Sequence, residues 1–175
     1  MPNNLLITGE SGVGKSTALI EAIEYLEPRT FTGFVSPRSN IGDSGWMIES
    51  FNGDEGLVAH PSINSRHRLG LLGVDMELFE RCVASEAASL GKTETVIIDE
   101  IGIIGGWSTE FKKFVLAALD SRVPTLAIIR KKSGEFSDQI KLRSDVKIWE
   151  VNTRNRDSIS REIAQRVRLF DLHPH

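Results

Sequence analysis

The stretch GESGVGKST places Gly9, Gly14, Lys15 and Ser16 in the spacing G-x-x-x-x-G-K-[ST], directly behind the apolar run NLLIT. Residues of these types at this spacing can surround a phosphate. Glycines permit positive φ and close backbone approach, so successive N–H groups converge on one anion. A helix starting at the end of the turn adds its positive N-terminal end. Lys15 then reaches the β- and γ-phosphates of a nucleotide, and the Ser16 hydroxyl is suited to Mg²⁺. On this reading Gly9, Glu10, Ser11, Gly12, Val13, Gly14, Lys15, Ser16 and Thr17 form a nucleotide-binding loop. The plainer alternative is a glycine-rich turn into an ordinary helix. The strand-like run before and the helical pattern after are the context that favours the phosphate loop.

A second constellation lies in TVIIDEIG, where Asp99 and Glu100 end an apolar run. In open α/β sheets ligands bind at the carboxyl ends of the strands, the edge from which a phosphate loop also emerges. Asp99 is expected to partner Mg²⁺ opposite Ser16. Glu100, one residue on, is expected to orient and deprotonate a water in line with the γ-phosphate. An isolated acidic pair would more simply end a strand and cap a helix. Behind a phosphate loop, the catalytic reading is preferred. Arg130 and Lys131, just past the apolar TLAII, would face the γ-phosphate as sensors or form a solvated basic turn. Arg66 and Arg68, in SINSRHRLG, would stabilise transition-state charge or merely keep a loop soluble. Asn155 and Arg156 follow the run Lys147–Val151, where Thr153 to Arg156 would contact the base or ribose. Helix N-capping explains Asn155 equally well.

These groups need elements to position them. Short apolar runs at Leu5–Thr8, Phe31–Ser36, Thr95–Asp99, Thr125–Ile129 and Lys147–Val151 read as strands buried on both faces. Between them lie helical patterns over Ala18–Leu26, Met76–Leu90, Thr109–Leu119 and about Asp157–Phe170. Asp75 and Ser108 are the expected N-caps, with Gly91 past a C-terminus. Alternation of this kind predicts an α/β fold with a mostly parallel, doubly covered sheet. Phosphate-loop proteins with a glutamate at the Glu100 place usually insert a strand between the loop strand and the acidic strand. TLAII supplies it, and the five strands should run 5-1-4-3-2. From Phe31 to Asp75 no helical pattern occurs; GWMIESF-NGDE-GLVAH instead predicts a β-hairpin insertion over about residues 37–65.

Bulk properties exclude other classes. The chain has 175 residues, 40% hydrophobic and 26% charged, which suits one domain spanning 1–175. A net charge of −3 offers no global attraction to nucleic acid or an anionic membrane. Neither a signal-peptide pattern nor a membrane-length apolar run is present in the sequence. One cysteine, Cys82, fits a reducing cytosol and a place in the core. A cytoplasmic monomer that binds nucleoside triphosphates is the expectation. Trp107 reads as an interfacial residue in a mobile loop, and His173 and His175 as a frayed tail with no third metal ligand.

Several blocks together resemble one family, the nucleoside-triphosphatases first described from thermophiles, whose vertebrate members are called cancer-related NTPases. They are ITGESGVGKST, Gly33–Phe34, RLGLLGVDMELFE at Arg68–Glu80, VIIDEIG at Val96–Gly102, LAALDS at Leu116–Ser121 and Asn155–Asp157. The resemblance implies a RecA-like P-loop NTPase domain that slowly hydrolyses ATP, GTP and other triphosphates with Mg²⁺. It also supports Arg68 as a functional residue. The chain departs from the family after Gly33–Phe34, where Arg38 and Asn40 stand near a usual glutamate and arginine. It departs again at Ile103–Gly106, where the family often has Lys-Met-Glu. Two other readings remain open at the sequence level. One is a small-molecule kinase, with the cationic segment Arg130–Arg143 as its lid. The other is a nucleotide-dependent switch read by a partner.

Overall fold

The computed structural model describes residues 3–37, 45–132 and 134–171. Arg38, Asn40, His173 and His175 therefore lie outside the described residues. The strands are β1 (Asn4–Thr8), β2 (Phe31–Val35), β3 (Trp46–Ser50), β4 (Glu55–His60), β5 (Arg68–Leu69), β6 (Leu72–Val74), β7 (Thr95–Ile101), β8 (Thr125–Ile129) and β9 (Val146–Glu150). The helices are α1 (Lys15–Leu26), α2 (Met76–Ala87), α3 (Ile103–Trp107), α4 (Thr109–Leu119), α5 (Glu135–Lys141) and α6 (Ile159–Asp171).

Among the described residues, these nine strands join one sheet in the order β5-β6-β4-β3-β2-β7-β8-β1-β9. Its parallel half, β2-β7-β8-β1-β9, has the expected 5-1-4-3-2 order. Side chains alternate across it, as pleating requires. Leu5, Ile7, Ile97, Leu126 and Ile128 face α1 and α6, meeting Ala18, Leu19, Ala22, Ile159 and Ile163. Leu6, Val96, Ile98, Ala127 and Ile129 face α2 and α4, meeting Phe79, Cys82, Phe111, Phe114 and Val115. Every strand residue in these two sets is under 2% exposed. Each Val, Leu or Ile side chain among them contributes about 1.5–3 kcal/mol by burial. Both predicted caps are present: Asp75 accepts from the Leu78 N–H at 2.9 Å and Ser108 from the Phe111 N–H at 3.1 Å.

The insertion is larger than the sequence suggests. The β3–β4 hairpin adds antiparallel to β2, and a second small hairpin, β5–β6, extends the same edge through Val74. Strands of two and three residues are too short to show alternation. Three further differences concern helices. The segment after Gly102 is the short helix α3, not a loop, and within it Gly105 packs where a Cβ would lie 2.3 Å from the Phe111 ring. The basic segment after β8 contains α5, whose seven residues are too few to show helical periodicity. Helix α2 stops at Ala87 and α6 starts at Ile159, each inside the expected limits.

Candidate functional site

The cleft lies at the carboxyl ends of β1, β7 and β8, has a volume of about 680 Å³, and is lined on one side by the Gly9–Thr17 turn. Gly9 (φ +153°) opens the turn so close to β9 that a Cβ would lie 2.5 Å from the Val151 carbonyl oxygen. Gly14 is the N-cap of α1, whose first turn carries no acidic residue. The positive helix end is therefore left to an external anion. Lys15 Nζ folds back to donate to the carbonyls of Gly9 (3.1 Å) and Glu10 (2.7 Å). Burial, aided by nearby Arg130, lowers its pKa below the ordinary lysine value, opposed by Glu100, Asp99 and Glu10. Val13 points away from the cleft and packs on the α1/α6 core.

The opposite wall is made by β7. Regular pleating would send Asp99 and Glu100 to opposite faces. Instead the pairing with β8 shifts between Ile98 and Ile101. Ile98 and Ile101 both enter the α2/α4 core, so the two residues between them share the other face. Asp99 and Glu100 thus both line the cleft, across from Lys15 and Ser16. The strand irregularity re-aims a side chain.

Asp99 is 3% exposed, and its Oδ2 is buried without a hydrogen-bond partner. Burial pushes its carboxyl up to about 7, opposed by a hydrogen bond from Ser16, and Glu100 adds to the rise. Ser36 Oγ donates to the Asp99 carbonyl at 2.7 Å and anchors β2 against the site. An unsatisfied buried carboxylate oxygen beside a serine hydroxyl is a donor pair of the kind a hard divalent cation takes. Among the described residues no group of three or more His, Cys, Asp or Glu could hold a metal unaided. Phosphate oxygens and water would have to complete the coordination.

Glu100 Oε1 lies 2.8 Å from Arg130 Nε. Burial raises the Glu100 pKa, while Arg130 and then Lys15 hold it down. Arg130 follows β8, with its backbone N–H donating to the Ile101 carbonyl, so its side chain arrives beside the acidic pair. Lys131 bridges Glu10 Oε1 (2.7 Å) and Glu150 Oε1 (2.6 Å) across the front of the turn. Its two carboxylate partners raise its pKa to about 12, and Lys131 depresses that of Glu10.

Of the residues expected beyond the phosphate turn, Arg66, Arg68 and the turn from Thr153 to Arg156 do not line the cleft. Arg68 lies on β5 at the far edge of the sheet and donates to the Leu71 carbonyl at 2.7 Å. Asn155 holds the turn after β9, accepting from the Asn152 N–H (2.8 Å) and donating to the Glu150 carbonyl (2.9 Å). Arg156 Nε approaches Asp157 at 3.6 Å. This turn does begin beside Gly9, because the Val151 N–H donates to the Thr8 carbonyl. In the segment read as a kinase lid, Arg143 pairs with Asp120 and Asp145, and Lys141 with Asp138. Neither lines the cleft. Sequence reasoning did not single out Trp46, Ser36 or Pro37, which complete the wall; no motif marks them.

A family model described as NTPase matches residues 4–164. The Nucleoside-triphosphatase THEP1 of Thermotoga maritima is 34% identical over 162 residues, covering 91% of this chain and 92% of that protein. The protein of the same name from Natranaerobius thermophilus is 34% identical over 171 residues, covering 94% and 96%. The crystal structure of THEP1 from the hyperthermophile Aquifex aeolicus superposes with a TM-score of 0.82 at 26% identity, covering 91% of this chain and 96% of that one. The solution structure of a human cancer-related nucleoside triphosphatase shares the fold, with a TM-score of 0.80 at 24% identity and coverage of 95% and 97%.

Proposed function

The chain belongs to the NTPase family, and from that membership we propose that it hydrolyses nucleoside triphosphates, ATP and GTP among them, to the diphosphate and phosphate with Mg²⁺. The observation that carries this reading is the placement of Asp99 and Glu100 side by side on the cleft face, across from Lys15 and Ser16. Loop amides, the α1 N-terminus and Lys15 hold the β- and γ-phosphates. Ser16 and Asp99 would hold Mg²⁺, which when bound supplies Lewis-acid polarisation of the phosphate oxygens.

Glu100 accepts a proton from a water placed in line with the γ-phosphate. The water oxygen bonds to the γ-phosphorus as the bond from that phosphorus to the β–γ bridging oxygen breaks. The electron pair leaves with the diphosphate, and inorganic phosphate is released. Burial raises the Glu100 pKa above the ordinary glutamate value, which makes it a better proton acceptor. In the nucleotide-free protein Arg130 on the same carboxylate holds that basicity down. The cleft is lined mostly by the phosphate turn and charged side chains, which recognise the triphosphate common to all nucleotides. Use of several bases follows.

The test is phosphate release from ATP, GTP, CTP and UTP with Mg²⁺ or with EDTA, for wild type, Glu100→Gln and Lys15→Ala. Metal-dependent turnover of several triphosphates, stalled in Glu100→Gln with binding kept and lost with binding in Lys15→Ala, supports the proposal. Tight binding with wild-type release no faster than that of Glu100→Gln removes the glutamate from the base role.

A further inference from the structure

Arg130 is held on two sides. Its Nε meets Glu100 Oε1 at 2.8 Å, and its guanidinium carbon lies 5.7 Å from the centroid of the Trp46 ring. Trp46 opens β3 in the hairpin insertion. Of the two strands of that hairpin, it is the residue that lines the cleft among the described residues. Its ring is half-buried against the larger core, and the β3–β4 pairing shifts register between Trp46 and Met47. The hairpin thus presents an aromatic face, packed on the core, to the cleft.

A guanidinium lying on an indole is attracted by the ring quadrupole, while the N–H groups at its edge stay free to bond in their own plane. The ring fixes the cation without consuming its donors. Arg130, Glu100 and Lys15 line one cleft, so a triphosphate bound at Lys15 brings a second anion within the range of the same guanidinium.

We propose that Trp46 is a positioning residue for hydrolysis: its ring seats Arg130 so that the incoming γ-phosphate draws the guanidinium off Glu100 and leaves that carboxylate free to accept the proton of water. The inference rests on the proposed hydrolysis and makes the hairpin insertion part of it. Arg130 stays protonated throughout and exchanges only its anionic partner.

A double-mutant cycle on Mg-ATP hydrolysis tests this with Trp46→Leu, Arg130→Ala and the double variant, beside Trp46→Phe. Leucine keeps apolar bulk without a π face; phenylalanine keeps the face. Trp46→Leu is expected to lower kcat about tenfold with the KM for ATP little changed. It should add no further loss in the Arg130→Ala background, and Trp46→Phe should restore most of the rate. Additive losses, equal loss in Leu and Phe, or a raised KM at unchanged kcat would overturn the proposal. If wild type releases no phosphate, the hydrolysis reading falls separately. Tryptophan emission on Mg-ATP binding then decides the seat. A change in wild type that is missing in Trp46→Phe and in Arg130→Ala supports it, and the same change in all three sinks it.

Discussion

Glu100 sits between two cations and under partial burial, so its chemistry depends on neighbours more than on its own type. Replacing it by Gln keeps the shape and removes the base. The expected result is a fall in kcat of about 10²–10⁴-fold with nucleotide affinity retained, read by steady-state phosphate release alongside equilibrium binding. Asp99 makes a second residue-scale prediction. Burial pushes its carboxyl in the folded protein up to about 7, above the ordinary aspartate value of 3.8. The folded apo protein therefore binds more protons than the unfolded chain between these values, and its stability falls as pH rises through that window. Metal favours the deprotonated form and opposes the loss. Thermal melts at pH 5 and pH 8 should show the apo protein less stable at pH 8, with Mg²⁺ and nucleotide narrowing the gap. Asp99→Asn should flatten the dependence; an unchanged slope in that variant assigns it to other groups.

At the scale of elements, the insertion is tied to the parallel half by one buried carboxylate. Glu86, on α2, is fully buried and accepts from the Thr32 hydroxyl (2.7 Å), the Gly33 N–H (2.7 Å) and the Asn52 N–H (2.6 Å). It joins helix, central strand and the β3–β4 turn. Gly33 belongs to this knot by necessity, since at φ +113° a Cβ would lie 1.8 Å from the Ile97 carbonyl oxygen. Glu86→Ala would strand several buried donors, costing about 3 kcal/mol or more. Urea unfolding should show a lower midpoint at an unchanged slope, with kcat per folded molecule largely kept. A shift under about 0.5 kcal/mol, the range of ordinary surface substitutions, would mean that water replaces the carboxylate. Nothing in EAASL marks Glu86 as more than a helix surface charge, because only the packed neighbours on β2 and Asn52 supply its partners.

At the scale of the whole molecule, the two helix layers close on a sheet whose carboxyl edge carries the cleft. Ligand binding there is linked to the stability of the entire fold. Mg-ATP at about 100 times its Kd should stabilise the protein by about 2.7 kcal/mol, seen as a raised Tm. Lys15→Ala should abolish that rise while leaving the apo Tm near wild type; a rise that persists would place binding elsewhere. Among the described residues no helix is long and apolar enough to cross a membrane. The sequence by itself determined the phosphate turn, the acidic pair and the five parallel strands with their order. Those features are written locally: in contiguous motifs, in apolar runs buried on both faces, and in caps such as Asp75 and Ser108. Short strands and helices, β5, β6, α3 and α5, fall below the length at which periodicity speaks. What only the tertiary structure decided is which side chains share the cleft. Arg68, sound as chemistry, is carried to the far edge by β5. Trp46, unmarked by any motif, is carried in by β3. Glu100 faces the cleft rather than the α2/α4 core because β7 breaks its pleat between Ile98 and Ile101. Register along each strand is set by long-range pairing and packing, and no local stretch of chain encodes it.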